Sequence, residues 1–551
     1  MTSSSKIHGG KILANALMRQ GVEYAFGVPG ESYLALLDGL YDHEKQLQFI
    51  TCRQEGGAAY MADAYAKLTS KVGVLMVTRG PGASNAMVGV HTAYQDSTPM
   101  VVLVGQVGTD MAEREAFQEV DLRKMYSECA KWVGSIDRVD RIDEYVSRAF
   151  HIAQAGRKGP VVLALPEDVL FEEGYSKPAL SAHIVQPGLN PLVFAQAMNA
   201  LEEAISPLII VGGSSWDLQT CKQLQTWAEN KNIPIVTAFR HQDLIDNYSP
   251  AYAGVLGLGS NLKLIDRCKN ADLVIVIGDR LGEITTLGYT LFDVPHPKQT
   301  LIHVHPGAEE IGKVYRPSYA INCSPKNFVE ALVHNVKQLR ADPNHFQRAR
   351  QEQLEYMQPV PIVGEIQLAN IFAELPKYIP KDAILTNGAG NFTTWLHRFY
   401  SYGGFRTQLA PANGSMGYGL PAAIAAKITH PERTVIGVTG DGDFMMNCQE
   451  LATAMKYDAK PIILILNNGM YGTIRMHQER EFKSRVSGTF LTNPDFTLLA
   501  KSFGMLGYQV KTTQAFFDAL QDAISQNQGA VIELVTEPEA ITPNKKLSEL
   551  S

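Results

Sequence analysis

Cysteine is scarce in this sequence. There are six among 551 residues, Cys52, Cys129, Cys221, Cys268, Cys323 and Cys448, with no pair at C-x-x-C spacing. That speaks against a disulfide framework or a zinc knuckle and for reduced thiols in a cytoplasmic protein. Long apolar runs are also missing. No stretch comes near the roughly 20 apolar residues that cross a bilayer, and the first residues show no apolar core followed by a cleavage pattern, so neither a membrane span nor a signal peptide is expected. Positive charge is in deficit, with 49 Lys and Arg against 56 Asp and Glu and a net charge of -7. A nucleic-acid partner, which would call for a basic face, is not expected. What is present is the balance of an ordinary globular chain, 45% apolar and 19% charged, at a length that suggests about three domains.

Apolar segments and helical patterns alternate along the whole chain. Strands are expected at 23–28, 72–78, 100–104 and 161–165, with helices at 9–20, 56–68 and 83–93 among them. A Pro- and Gly-bearing stretch, 181–191, reads as a linker. Strands are next expected at 208–211, 234–237, 273–277 and 300–304, followed by a charged helical stretch at 325–355 and a second, proline-bearing linker at 357–363. The last region has strands at 383–385, 434–438, 462–466 and 530–534. Strands separated by helices of this length predict an α/β chain of three doubly wound parallel sheets, bounded at 1–180, 192–340 and 364–551. The first and last regions could be distant copies of one unit, though the residues alone show no clear repeat.

The segment Thr434-Val-Ile-Gly-Val-Thr-Gly440-Asp441-Gly442-Asp443-Phe444 is an apolar strand running into a glycine-flanked aspartate. About two dozen residues further on, Pro461-Ile-Ile-Leu-Ile-Leu-Asn467-Asn468 is a second apolar strand ending in two amides. Ligands of open parallel sheets bind at the carboxyl ends of strands, where both clusters fall. Asp441, Asn468 and the carbonyl of Met470 are hard oxygen donors suited to magnesium, which shares its coordination with phosphates. The glycines let backbone approach a diphosphate closely, and a helix expected at 446–456 would turn its first amides toward the anion.

A second constellation, Thr51-Cys-Arg-Gln-Glu55-Gly-Gly-Ala-Ala59, sets a carboxylate at a strand–helix junction. Glu55 is either an acid for proton transfer, its pKa tunable by burial, or a helix-start glutamate favoured by the dipole. A third, Asn413-Gly414-Ser415-Met416-Gly417, holds a bulky apolar side chain between glycines, either a support beneath a bent ligand or a core methionine in a turn.

With these motifs the chain resembles the acetolactate (acetohydroxyacid) synthase-like thiamine-diphosphate enzymes over essentially its whole length. Further matches are Phe26-Gly-Val-Pro-Gly30, Thr78-Arg-Gly-Pro-Gly82, Gly105-Gln-Val107 and Ala116-Phe-Gln-Glu119. The resemblance implies a pyrimidine-binding, a central Rossmann-like and a diphosphate-binding domain. It implies thiamine diphosphate and Mg2+ as cofactors, and a homodimer or homotetramer in which neighbouring subunits share active sites. Glu55 is then the acid on the cofactor's pyrimidine, Phe117 and Gln118 line the substrate side, and Met416 supports the bend. Gly30, Gly388, Asn391, Gly414, Ser415, Gly440, Gly442, Asp443, Phe444 and Tyr471 are the remaining cofactor-binding positions, and Asp441, Asn468 and Met470 the metal ligands.

The implied activity is decarboxylation of a 2-oxo acid, pyruvate, and transfer of the two-carbon unit to a second carbonyl. The alternatives are a non-oxidative 2-oxo acid decarboxylase, a 2-hydroxyacyl thioester lyase, and a non-catalytic relative, against which Glu55 and Asp441 both stand. Three positions depart from the synthases. Gln54 replaces a frequent histidine. Arg280-Leu-Gly-Glu-Ile-Thr-Thr286 lacks the second arginine that grips the acceptor. His477 aligns with the tryptophan that selects 2-oxobutyrate. The diverged 280–286 stretch leaves FAD in the central domain undecided. His91 and His397 read as structural.

Overall fold

The computed structural model describes residues 5–336 and 338–550. They form two compact units. One holds the chain up to Val185 together with Leu420–Pro431 and Met445–Lys460; the other holds Gln186–Gly419, Glu432–Phe444 and the chain from Pro461 onward.

Three six-stranded parallel sheets, flanked by helices, give the expected α/β architecture. In the first, the strands stand in the order Gln48–Thr51, Tyr24–Gly27, Gly73–Val77, Met100–Gln106, Pro160–Pro166, Trp132–Ser135. In the third, the order is Gln408–Leu409, Ile384–Asn387, Val435–Gly440, Ile462–Asn467, Ala530–Val535, Leu506–Val510. Numbered along the chain, both read 2-1-3-4-6-5. The likeness that the residues left unproven is therefore plain in the topology. The middle sheet runs Tyr252–Val255, Ile235–Thr237, Leu208–Val211, Leu273–Ile277, Thr300–Val304, Tyr319–Ile321, or 3-2-1-4-5-6, the Rossmann order.

Interior strands are largely buried on both faces because helices cover both sides of a parallel sheet, which explains apolar runs such as Leu208–Val211 and Leu273–Ile277. Where strand order reverses, a crevice opens at the carboxyl ends. In the third sheet this falls between Ile384–Asn387 and Val435–Gly440, with Gly440 in register with Leu466 of the next strand. Two loops, 388–391 and 468–471, and the strand–helix junction 440–443 thus leave neighbouring strands at the same edge.

Two expectations need correction. The helix expected at 446–456 instead starts at Asp441, as the short Asp441–Met445. A single turn, Cys448–Glu450, and the helix Leu451–Lys456 follow and cluster with the first unit. The charged stretch 325–355 is two helices, Pro325–Asn335 and Pro343–Tyr356. Pro343 sets where the second begins, since it disfavours helix at Asp342, whose side chain instead caps Asn344 N–H. Lys337, within that stretch, lies outside the described residues, as do residues 1–4 and 551. Among the described residues no helix is long and apolar enough to cross a membrane.

Candidate active site

The two loops and the junction of the third sheet surround a cavity of about 260 Å³. Its wall includes Gly390, Asn391, Gly414, Met416, Gly440, Asp441, Gly442, Asp443, Asn468, Met470 and Tyr471. Asp441 stands first in the helix after Val435–Gly440 and is 2% exposed. Asn493 holds it in place: its Nδ2 donates to Asp441 Oδ2 at 2.7 Å and to Asn467 Oδ1 at 3.1 Å. The 468–471 loop is pinned in turn. Met470 N donates to Asn468 Oδ1 (3.2 Å), Tyr471 N to the Thr489 carbonyl (2.9 Å) and Leu491 N to the Gly469 carbonyl (2.9 Å). Burial raises the Asp441 carboxyl above its usual range, and a cation beside it would restore the charged form.

The donors fit magnesium. Among the described residues no group of three His, Cys, Asp or Glu side chains could form an all-protein cage. One carboxylate with an amide and a backbone carbonyl is the set a hard cation uses when phosphates complete its shell. The glycines fit a diphosphate. A Cβ at Gly442 would lie 2.5 Å from the Tyr471 ring, and Gly414 has a φ of +71° that side chains rarely adopt.

Asp443, also 2% exposed, joins two walls of the cavity. Its Oδ1 accepts from Gly417 N (2.6 Å) and Ala389 N (3.3 Å), while Oδ2 is buried without a partner among the described residues. Burial pushes this carboxyl up to about 7, against the pull of those two N–H groups and the Arg240 charge. A buried oxygen left unsatisfied beside a cavity calls for a partner, and a polar ligand with its water would fit that need. Asn391 is locked by exchange with Thr473, its N–H donating to Thr473 Oγ1 and its Oδ1 accepting from it, both at 3.0 Å.

Three of the sequence-assigned positions in this second unit do not line the cavity. Gly388 faces the Asp443 carboxyl, and Ser415 N donates to Asn413 Oδ1 (3.2 Å). Phe444 is buried edge-on against Phe496, with ring centroids 5.6 Å apart.

The other assigned residues, Glu55, Gly30, Phe117 and Gln118, belong to the first unit. Glu55 opens the helix Glu55–Thr69, where Gln54 caps Gly57 N–H at 3.0 Å. The carboxylate is 9% exposed, and Oε2 accepts from Asn85 Nδ2 at 2.9 Å. Gly82, on the same helix as Asn85, stands where a Cβ would come within 3.4 Å of Glu55 Oε1. Tyr33 lies near enough for the Glu55 charge to add to burial in raising its phenol. At the reversal point of the first sheet, Gly30 packs on Thr78, where a Cβ would stand 2.5 Å away. Gln118, at a φ of +64°, accepts from Gly80 N (2.9 Å), and Phe117 is 72% exposed. Asn85, Asn493 and the loop-joining bonds of Asp443 escape sequence reading, because each acts across a fold contact that no local pattern announces.

Comparison with known proteins places these clusters. The N-terminal TPP binding domain of thiamine pyrophosphate enzymes matches residues 7–125, the central domain 194–332 and the C-terminal TPP binding domain 388–534. The acetolactate synthase large subunit of Haemophilus influenzae is 30% identical over 560 aligned positions, covering 98% of this chain and 96% of the relative. The probable acetolactate synthase large subunit of Methanocaldococcus jannaschii is 31% identical, covering 97% and 93%. The isozyme 3 large subunit of Escherichia coli is 29% identical, covering 94% and 92%. With three matched domains, near-complete coverage and a glycine-lined cavity holding the Gly440-Asp441-Gly442 and Asn468 motifs, this chain is a thiamine-diphosphate-dependent enzyme belonging to the acetolactate synthase large-subunit family.

Proposed function

We propose that the enzyme decarboxylates a 2-oxo acid, pyruvate, and joins the two-carbon unit to a second carbonyl, as an acetolactate synthase-type carboligase using thiamine diphosphate and Mg2+. The observation that carries this reading is the cavity where Asp441, Asn468 and Met470 converge beside Gly440 and Gly442. Relatives whose names state acetolactate synthesis support the reaction type. Thiamine diphosphate, when bound, supplies the electron sink that decarboxylation needs.

The chain's residues do the rest. Asp441, Asn468 and the Met470 carbonyl hold the metal, and the glycines at 414, 440 and 442 admit the diphosphate and pyrimidine. Met416 supports the bend, and Asn391, Asp443 and Tyr471 close the wall. Gly388 and Phe444 act one layer out, shaping Asp443 and the base of the helix, and Ser415 shapes its turn. Glu55, oriented by Asn85, holds the proton at the pyrimidine nitrogen. Gly30 keeps that site open, and Phe117 and Gln118 face the substrate.

The domain limits 1–180, 192–340 and 364–551 are part of the proposal. So is a homodimer or homotetramer in which Glu55 of one subunit serves the metal site of another. Six unpaired cysteines support a cytoplasmic setting. A second reading, release of the aldehyde or cleavage of a 2-hydroxyacyl thioester, draws on Arg280-Leu-Gly-Glu283, where the acceptor-gripping arginine is missing.

Product analysis of the purified enzyme with pyruvate, thiamine diphosphate and Mg2+ decides between them. Acetolactate is expected; acetaldehyde alone, or turnover of a thioester alone, rejects carboligation. Glu55→Gln should bind cofactor but lose exchange of the C2 proton, and normal exchange in that variant rejects the role of Glu55.

A further inference from the structure

Glu450 is completely buried, yet the cavity lining does not include it. Both its oxygens are engaged within the first unit. Oε1 accepts from Arg53 N (3.1 Å) and Gln54 N (3.0 Å), and Oε2 accepts from Thr453 Oγ1 (2.6 Å) and lies 3.3 Å from Arg53 N. Two successive backbone amides therefore point at one carboxylate, an anion nest made by the chain for itself. The peptides concerned lead directly into Glu55. Gly57 leaves the room, since a Cβ there would stand 2.8 Å from Glu450 Oε1 and 2.9 Å from its Cγ.

A second hook lies close by in sequence. Tyr457 Oη accepts from Thr51 N (2.7 Å) and donates to the Phe49 carbonyl (3.1 Å). The segment joining strand Gln48–Thr51 to helix Glu55–Thr69 is thus held at both ends, by Tyr457 at the strand and by Glu450 at the helix. An isolated surface carboxylate would be cheaper than a buried one, because burying a charge costs several kcal/mol unless donors answer it. The donors that answer this one are mostly the amides that aim Glu55.

We propose that Glu450 is a positioning residue for Glu55: it fixes the backbone at 53–54, while Asn85 fixes the far end of the Glu55 side chain. The inference rests on the reading of Glu55 as the acid at the cofactor's pyrimidine. Proton transfer is sharply sensitive to placement, so loss of Glu450 acts on activation of the cofactor, while the groups assigned to hold the metal and diphosphate are unaltered.

The test uses the full chain with thiamine diphosphate and Mg2+. It measures C2 hydrogen–deuterium exchange of the bound cofactor by quenched NMR, and cofactor affinity by calorimetry. Glu450→Ala should slow exchange about tenfold or more, since a displacement near 1 Å can cost on the order of 100-fold, while Kd stays within about threefold. Glu450→Gln keeps one carbonyl oxygen for both N–H donors and should restore exchange to near the parent rate. Should Glu450→Ala not fold, Gly57→Ala carries the same test by crowding the carboxylate, and should slow exchange with Kd preserved. Parent-like exchange in the folded Ala variants overturns the inference. So does a joint fall of exchange and affinity that Gln does not rescue, which is the pattern of a purely structural residue. Glu55→Gln is the control: normal exchange there sinks the Glu55 reading itself, whereas lost exchange there with normal exchange in Glu450→Ala sinks only the positioning role.

Discussion

Gly388→Ala adds one methyl to a backbone that accepts it, because Gly388 does not adopt a left-handed φ. The methyl would nevertheless meet Asp443. The added Cβ falls under 3.0 Å from both carboxyl oxygens and their carbon, closer than real Cβ contacts come. Asp443 is buried and must swing away, releasing the N–H groups of Gly417 and Ala389. Each buried donor left unmet costs roughly 1–3 kcal/mol. Partial relaxation and water entry recover some of that, so a net loss of about 2–3 kcal/mol is expected for the two. These amides join the loops that carry Asn391 and Met416 into the cavity, so the cost falls on ordering the cavity for cofactor. Thiamine diphosphate affinity should weaken roughly 30- to 140-fold, since 1.4 kcal/mol is a factor of ten. Calorimetric titration at saturating Mg2+ measures it, and far-UV circular dichroism confirms that the variant is folded. The decisive control is the same substitution in an Asp443→Gly background, where the methyl meets no carboxyl and should cost under about 0.5 kcal/mol, a clear coupling in a double-mutant cycle. Affinity within twofold of the parent, or equal losses in both backgrounds, would refute the reasoning.

Two further outcomes are expected. Asp441→Ala should abolish the Mg2+ dependence of cofactor binding and weaken affinity by about 100-fold or more, above the 10- to 100-fold typical of groups that only orient a metal ligand; unchanged calorimetric affinity would remove Asp441 from the metal site. His303, 2% exposed, donates from Nε2 to the Asp279 carbonyl at 2.9 Å while its Nδ1 has no partner among the described residues, and burial holds its pKa down at about 4 against the ordinary 6.5. The unfolded chain therefore takes up this proton first. Stability is full above pH 6.5 and falls as pH drops toward 4, by up to about 3 kcal/mol. Urea denaturation between pH 7.5 and 4.5 should show a shallower fall in His303→Gln than in the parent, and parallel curves would disprove it.

The twelve strands legible in the sequence are the four interior strands of each six-stranded sheet; among the described residues the strands not read are the six edges of those sheets and the short antiparallel pair Ile7–His8 and Glu173–Gly174. The reason is solvent exposure. Interior strands such as Leu273–Ile277 and Pro160–Pro166 are covered on both faces and flanked on both sides, so every position is apolar. Edge strands such as Gln48–Thr51, Trp132–Ser135 and Leu506–Val510 are half open and carry mixed residues with no readable period. The motif proposed to hold the metal was legible for a related reason. Gly440-Asp441-Gly442 and Asn467-Asn468 each end an interior strand, and adjacent interior strands bring their ends together whatever surrounds them.

What the sequence determined by itself is therefore the fold class, read from apolar strands and the helices between them, and, through its resemblance to a known family, the cofactor. What tertiary structure alone decided is how the groups of the site are held. Asn493 reaches Asp441, Asn85 reaches Glu55, Asp443 ties the 389 and 417 loops, and Glu450 grips the amides of Arg53 and Gln54. Each is a hydrogen bond between residues distant in the chain, and its direction is fixed by how sheets and helices pack, which leaves no periodic trace in the residues themselves.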